Sequence, residues 1–356
     1  MLVSQGPMVR ADWMEELSLQ NPTTVEEWEA VLTAFKEKGV KIPWIGSAAS
    51  LQNAFMPGFG LKSGWYRDGD EIKYGQAQPE YKEFLITMND WYNKGLIDKN
   101  FAVTDSKTIS AKILAGEAGA LTGYAGSGMR TYLEANEGVD GFDLRGVQYP
   151  ALKSGEKAEY SSLSRTPSMG NVTAISKNCK NVELAARFLD YGYTEEGNVV
   201  YNFGIEGESF NWVDKDGEKY PQFTDLMVNN PDGLFIANMI SLYCRSGHTN
   251  VPMVQRPEYI QQYYQKQQQK DARIEWAKTN QAQHHLPQIY VANEVADEDA
   301  DITAAVKTYI DEMTIKFISG REPIENFDKY LQQIADFGFE KSVSYRQDAY
   351  KRYQNR

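Results

Sequence analysis

NVELAARFLDYGYTEEGNVVYNFGIEGESFNW, residues 181–212, holds two apolar-periodic segments interrupted at Gly192–Thr194 and closed by Gly204. The spacing predicts two helices over 181–204 with a break near 192–194. Gly204 suits a helix C-terminal cap, GIEGE (204–208) a turn, and SFNW (209–212) the start of a strand. That strand runs on through an Asp-Gly turn into a second one, so SFNWVDKDGEKYPQFT (209–224) reads as a hairpin. Glu206 and Glu208 lie two apart beside Asn211 and Trp212. The stretch therefore poses three alternatives: a catalytic acidic pair, a wall of a binding site, or a helix end leading into a strand.

The same alternation of helices and short apolar strands fills the rest of the chain. PTTVEEWEAVLTAFKEKGV (22–40) reads as a helix: Thr24 and Glu27 make a capping box, Trp28, Val31, Leu32 and Phe35 recur at helical spacing, and Gly39 ends it. KIPWIGSA (41–48) is a strand entering a Gly/Ser loop, and RDGD (67–70) a tight hairpin turn. QPEYKEFLITMNDWYNKGLID (78–98) is a second amphipathic helix. Residues 105–126 read as helix, glycine cap and small-residue strand, and VTAIS (172–176) as a buried strand. A long Gln/Tyr helix is expected from Pro257 to Gln283, then helices at 301–319, 323–337 and near 344–355. The class is α/β.

At 356 residues the chain is long enough for two domains. Its 42% hydrophobic and 24% charged residues are those of a globular protein. A net charge of −12 repels phosphate backbones, which argues against nucleic acid as a partner. The two cysteines, Cys179 and Cys244, form neither a disulfide framework nor a metal-ligand spacing. The opening MLVSQGPMVRADW lacks the basic and apolar regions of a signal peptide.

Motifs for chemistry are sparse. Only His248, His284 and His285 could serve as a base for a nucleophile, and YAGSGM (124–129) lacks the spacing of a nucleophile elbow. No phosphate-cradling glycine loop is present. Glu206 and Glu208 could flank a glycosidic bond, although the glycines around them suit a turn better than a rigid strand. What the loops do offer is rings with neighbouring short polar groups, the mixture that fits the apolar faces and hydroxyl rims of sugars. Trp44 with Ser47, Phe59 with Trp65 and Tyr66, Tyr124 with Ser127 and Arg130, and Glu208 with Asn211 and Trp212 are such groups.

Four segments, in order, carry a resemblance: DWMEELSLQNPTTVEEWEAVLTAFKEKG (12–39), ILAGEAGAL (113–121), the 181–210 run, and YIDEMTIKFISGREPIENFDKYLQQIADFGFEKSVSYRQDAYKRY (309–353). Together they resemble bacterial extracellular solute-binding proteins of ABC importers, in particular the oligosaccharide-binding lipoprotein branch. The resemblance implies a two-lobed, periplasmic-binding-protein-like fold of type II that closes on ligand like a hinge. It implies a carbohydrate, an oligosaccharide, bound in an interlobe cleft and delivered to permease transmembrane subunits, with no catalysis and no cofactor. It implies a protein tethered at the outer cell surface by a lipid. Relative to the family pattern, the export signal, the lipid-bearing cysteine and about the first hundred residues are missing, so the first lobe is expected to be incomplete and the chain to expose apolar surface. FKEKGVKIPW (35–44) stands where many relatives carry an acidic, calcium-suited loop, so no metal is expected there.

The expected division is residues 10–166 as the first part of the second lobe, 167–224 as a remnant of the first lobe with a crossover, and 225–356 as a C-terminal helical part packing on the second lobe. The expected ligand-binding residues are Trp44, Phe59, Tyr124, Glu208, Asn211 and Trp212. A secreted glycoside hydrolase using Glu206 or Glu208, and a peptide-binding relative, stand as the alternatives.

Overall fold

The structure is a computed structural model that describes residues 3–139, 141–161, 173–245 and 252–356. Its strands are β1 (Gln5–Arg10), β2 (Ile42–Ile45), β3 (Trp65–Asp68), β4 (Glu71–Tyr74), β5 (Ala118–Tyr124), β6 (Leu144–Gly146), β7 (Phe210–Lys215) and β8 (Glu218–Phe223). The chain divides into two compact units. Residues 1–167 and 268–356 form unit 1, and residues 168–267 form unit 2.

Unit 1 is built on a four-stranded mixed sheet in the order β2-β5-β1-β6. β2 runs parallel to β5, whereas β1 runs antiparallel to both β5 and β6. The small residues of β5 let the helix Val25–Glu37 approach closely: a Cβ on Gly119 would stand 2.4 Å from the Phe35 ring. Thr24 caps that helix by accepting from the Glu27 N–H at 3.2 Å, and the Glu27 carboxylate accepts from the Thr23 N–H at 2.6 Å. This is the capping box displaced by one residue at its return bond.

Phe55 is the hub of the core. It meets Trp28 at 5.3 Å and Trp91 at 4.9 Å edge-to-face, and Trp44 at 5.9 Å at a tilt. The helices Ala296–Ile318, Phe327–Asp336 and Phe339–Gln354 belong to this unit. The Asn89 amide donates to the carbonyls of Phe317 (3.2 Å) and Ile318 (3.0 Å), satisfying the end of the longest helix. Tyr81 shares a hydrogen bond of 2.8 Å with Thr314, and the Tyr330 hydroxyl donates to the Gln76 carbonyl at 2.8 Å.

Unit 2 contains the expected helix pair, Val182–Asp190 and Glu195–Phe203, separated by a 3₁₀ turn at Tyr191–Tyr193. Asn181 and Thr194 cap the two helices with side-chain oxygens. The β7–β8 hairpin turns at Asp216 and Gly217, both with positive φ (58° and 85°), the backbone that an Asp-Gly pair tolerates. Phe203, Phe210, Phe223, Met227, Ile236 and Ile240 form its core. Leu184 and Phe188, four apart, leave the first helix with an exposed apolar face, Val182 is also exposed, and that helix buries no residue.

Two expectations fail. Residues 173–176 of VTAIS form no strand and are exposed apart from half-buried Ile175, because no described strand pairs with them; Val172 lies outside the described residues. The long helix from Pro257 to Gln283 is two helices, Pro257–Tyr263 and Gln267–Trp276, parted where Tyr264 takes an extended backbone (φ −93°, ψ 92°). That interruption coincides with the change of unit: 225–267 packs with 168–224, and 268–356 with unit 1.

Candidate functional site

Unit 2 carries an open bowl of 840 Å³. One wall is the helix Glu195–Phe203, which presents Glu195, Glu196, Val199 and Val200. The floor is the turn at Gly204–Glu206, and the far wall is Phe210 and Trp212 on β7, with Lys219 and Arg256 at the rim. Successive residues of a strand point to opposite faces, so Phe210 and Trp212 share one face. Their rings meet edge-to-face at 5.6 Å, a geometry favoured by ring quadrupoles.

The floor is held by local hydrogen bonding. Gly204 adopts φ 85° and ψ −128°, a backbone region closed to residues with a side chain. A Cβ there would stand 2.4 Å from the Ser209 hydroxyl. Ser209 is fully buried; its hydroxyl donates to the Phe203 carbonyl at 2.6 Å and accepts from the Ile205 N–H at 2.7 Å. Gly-x-Glu-Gly-x-Ser is thus a turn locked by its own serine.

Asn202 fixes the rim. Fully buried, it donates to the carbonyls of Asn198 (2.8 Å) and Val254 (2.9 Å) and accepts from the Arg256 N–H at 2.9 Å. The Arg256 guanidinium pairs with Glu258 at 2.8 Å and holds that carboxyl below the usual carboxylate range, against the opposing effect of burial. A second hollow of 520 Å³ continues past Lys219 and Arg256 toward Lys215, Tyr220 and Gln261.

The expected site residues fall in both units. Trp212 lines the bowl. Asn211 opposes Gln222 on the other face of the hairpin and cannot share the wall. Glu208 is exposed outside the bowl, while Glu206, its neighbour in the turn, lines it. In unit 1, Trp44 is fully buried beneath Gly46, so its ring has no face left for a ligand. Ser47, its expected polar companion, is the N-cap of the helix Ala48–Phe55. Phe59 packs edge-to-face on Phe84 at 5.8 Å as a half-buried extension of the core. Tyr124 alone of the three is open to solvent, 43% exposed at the end of β5. The rim residues Lys219 and Arg256 went unnoticed in the sequence, since the partners that place them are distant along the chain.

Other chemistry is thinly represented. Among the described residues no group of three or more His, Cys, Asp or Glu side chains could hold a metal ion, and no helix is long and apolar enough to cross a membrane. Cys179 and Cys244 are free thiols, and burial pushes that of Cys244 up to about 12. His284 pairs with Glu159 at 2.8 Å; His248 lies outside the described residues.

Comparison with known proteins supplies the frame for these features. The profile described as bacterial extracellular solute-binding protein matches residues 3–199. Lipoprotein LipO of Bacillus subtilis (strain 168) is 27% identical over 253 residues, 66% of this chain and 48% of LipO. The chain thus spans about half the length of that relative. The fructooligosaccharide ABC transporter substrate-binding protein FusA of Streptococcus pneumoniae serotype 4 (strain ATCC BAA-334 / TIGR4) is 22% identical over an alignment covering 99% of this chain and 66% of FusA. Among solved structures, the alginate-binding protein AlgQ2 without calcium ion superposes with a TM-score of 0.76 at 22% identity, over 99% of this chain and 72% of AlgQ2. The likeness establishes an α/β fold of the type II solute-binding class.

Proposed function

The chain belongs to the bacterial extracellular solute-binding protein family, and from that premise we propose that it binds an oligosaccharide as the substrate-binding component of an ABC importer. The observation that carries the reading is the bowl of unit 2, which the Phe210–Trp212 wall shares with the charged lining residues Glu195, Glu196, Glu206, Lys219 and Arg256. An indole face receives the C–H face of a pyranose, and carboxylates and cations around it exchange hydrogen bonds with hydroxyls. Relatives named for fructooligosaccharide and alginate support the ligand class.

In this reading unit 1 corresponds to the second lobe and unit 2 to part of the first. The ligand is held and handed to permease subunits without a bond being broken, and the protein works at the outer face of the cell on a lipid tether. A thermal-shift screen of oligosaccharides against peptides, followed by calorimetric titration, tests the reading. Stabilisation by saccharides alone supports it, and stabilisation by peptides alone replaces it with peptide binding. Release of reducing sugar that Glu206→Gln or Glu208→Gln abolishes would replace it with hydrolysis.

A further inference from the structure

The bowl of unit 2 does not end at its rim. Lys219 and Arg256 line both it and the hollow of 520 Å³ beyond, so the two spaces meet across this pair. On the hairpin Lys219 lies opposite Asp214, two places after Trp212, and therefore on the face of the Phe210–Trp212 wall. From that ridge the hollow runs between two walls. One is the hairpin tip with Lys215, Glu218 and Tyr220, and the other is the segment 254–261 with Gln255, Glu258 and Gln261. Each space by itself falls within the range of about 300–1,000 Å³ that suits one small ligand. A molecule that touches both is longer than one the bowl alone takes.

Both walls are fixed before a ligand arrives, so little ordering is left to be done on binding. The Gln262 side chain accepts from the Phe223 N–H and donates to the Pro221 carbonyl, each at 2.8 Å, which fastens the helix Pro257–Tyr263 to β8. At the head of that helix Arg256 is held by its N–H to Asn202, and its Nε and Nη2 donate to Glu258 at 3.4 and 2.8 Å. Tyr220 is half-buried, with the Lys215 ammonium 4.3 Å from its ring and its hydroxyl donating to Gln261 at 3.3 Å. Other polar groups here are unspent. Among the described residues no hydrogen bond or ion pair engages the half-buried Gln255 amide, the Lys219 ammonium or the Arg256 Nη1.

The lining favours a ligand without charge. In the hollow Lys215, Lys219 and Arg256 stand with Asp216, Glu218 and Glu258, as many cations as carboxylates. On the bowl side Glu195, Glu196 and Glu206 add carboxylates and no further cation. A polyuronide laid along both spaces would meet a negative field. A hydroxyl, by contrast, accepts from ammonium, guanidinium or amide groups and donates to carboxylates.

We propose that the two spaces act as one site for a neutral, linear oligosaccharide lying across the Lys219–Arg256 ridge, with one end against Trp212 and the other among Gln255, Tyr220 and Gln261. The proposal rests on the oligosaccharide reading and adds to it the charge and the length of the ligand.

Calorimetric titration of the full chain with maltose and maltopentaose, inulobiose and inulopentaose, and pentagalacturonate tests it. In at least one neutral series the pentasaccharide should bind about tenfold more tightly than the disaccharide, and more tightly than pentagalacturonate. Gln255→Ala combined with Tyr220→Phe should remove that length preference, whereas Trp212→Ala should weaken disaccharide and pentasaccharide alike. Equal binding of short and long saccharides, or a preference that survives the double variant, overturns the extended site. Tighter binding of pentagalacturonate overturns the neutral class. Each of these outcomes leaves the oligosaccharide reading standing, and failure of every saccharide to bind overturns both.

Discussion

Asn211 and Trp212 are adjacent in the chain and lie on opposite faces of β7. Trp212 stacks edge-to-face on Phe210 at 5.6 Å within the bowl, and Asn211 stands across from Gln222 on the far face. Substituting each residue separates a wall of a ligand site from a mere neighbour. Trp212→Ala should weaken saccharide binding by about 1–3 kcal/mol, the range of a buried aromatic contact, while Asn211→Ala leaves it unchanged. Equal losses in calorimetric titration of the two variants would show that the ligand does not use this face.

Trp44 is expected to behave in the contrary way. Its ring is buried beneath Gly46 and against Phe55. Truncation leaves a cavity at the hub of unit 1, so Trp44→Ala should cost about 3–5 kcal/mol of stability. The variant should lose stability in urea titration, and whatever fraction remains folded should bind as the parent does. A stable Trp44→Ala with selectively impaired binding would restore the ring to the ligand site.

Asn202 links the floor of the bowl to its rim through three hydrogen bonds to Asn198, Val254 and Arg256. Asn202→Leu strands the Arg256 N–H in the interior, while the Val254 carbonyl keeps the Asn198 amide at 2.7 Å, and should cost about 1–3 kcal/mol. The release of the Arg256 backbone should also weaken binding beyond what lost stability accounts for. If Arg256→Ala and Asn202→Leu have unrelated effects on affinity, measured at a temperature where both are folded, the positioning role is wrong.

Much of the architecture was legible where local chemistry decides it. The capping box at Thr24 and Glu27, the Asp-Gly turn at 216–217 and the helix break before Thr194 are set by residues a few positions apart, and each is found where expected. Long-range pairing was not legible. β1 (Gln5–Arg10), a central strand of the sheet, and the helix Ala48–Phe55 carried too short a pattern to read, and the break at Tyr264 has no Pro or Gly to announce it. The site suffered most. Composition marked Trp44 and Trp212 alike as rings beside polar groups, and only packing shows that one is core and the other a wall. The turn at 204–208 is found where expected, but which of its two glutamates lines the bowl, Glu206 rather than Glu208, depends on how that turn packs and not on local sequence.

The Glu27 carboxylate gives a pH-dependent contribution whose sign follows from its bonds. Burial alone would raise its pKa, but the hydroxyl and N–H of Thr23 and the hydroxyl of Ser154 donate to the charged form and outweigh it, so the pKa lies below the ordinary 4.5. A depressed carboxyl stabilises the fold fully above its unfolded value and loses that contribution as pH falls through the folded one. Urea midpoints should therefore decline more steeply on acidification below about 4.5 in the parent than in Glu27→Gln. Parallel declines would assign the acid sensitivity to other groups.

The helix Val182–Asp190 provides the last test. Its apolar residues are not dispersed: Leu184 and Phe188 stand four apart, one turn above the other, and both are more than half exposed, at 61% and 57%. An apolar stripe on water does not stabilise the unit, since burial is what makes an amphipathic helix favourable, and it attracts other apolar surface. Leu184→Gln with Phe188→Ser should therefore raise solubility and reduce binding of a hydrophobic dye while leaving the melting temperature close to that of the parent. A large fall in melting temperature would mean that the stripe packs within the folded protein in solution.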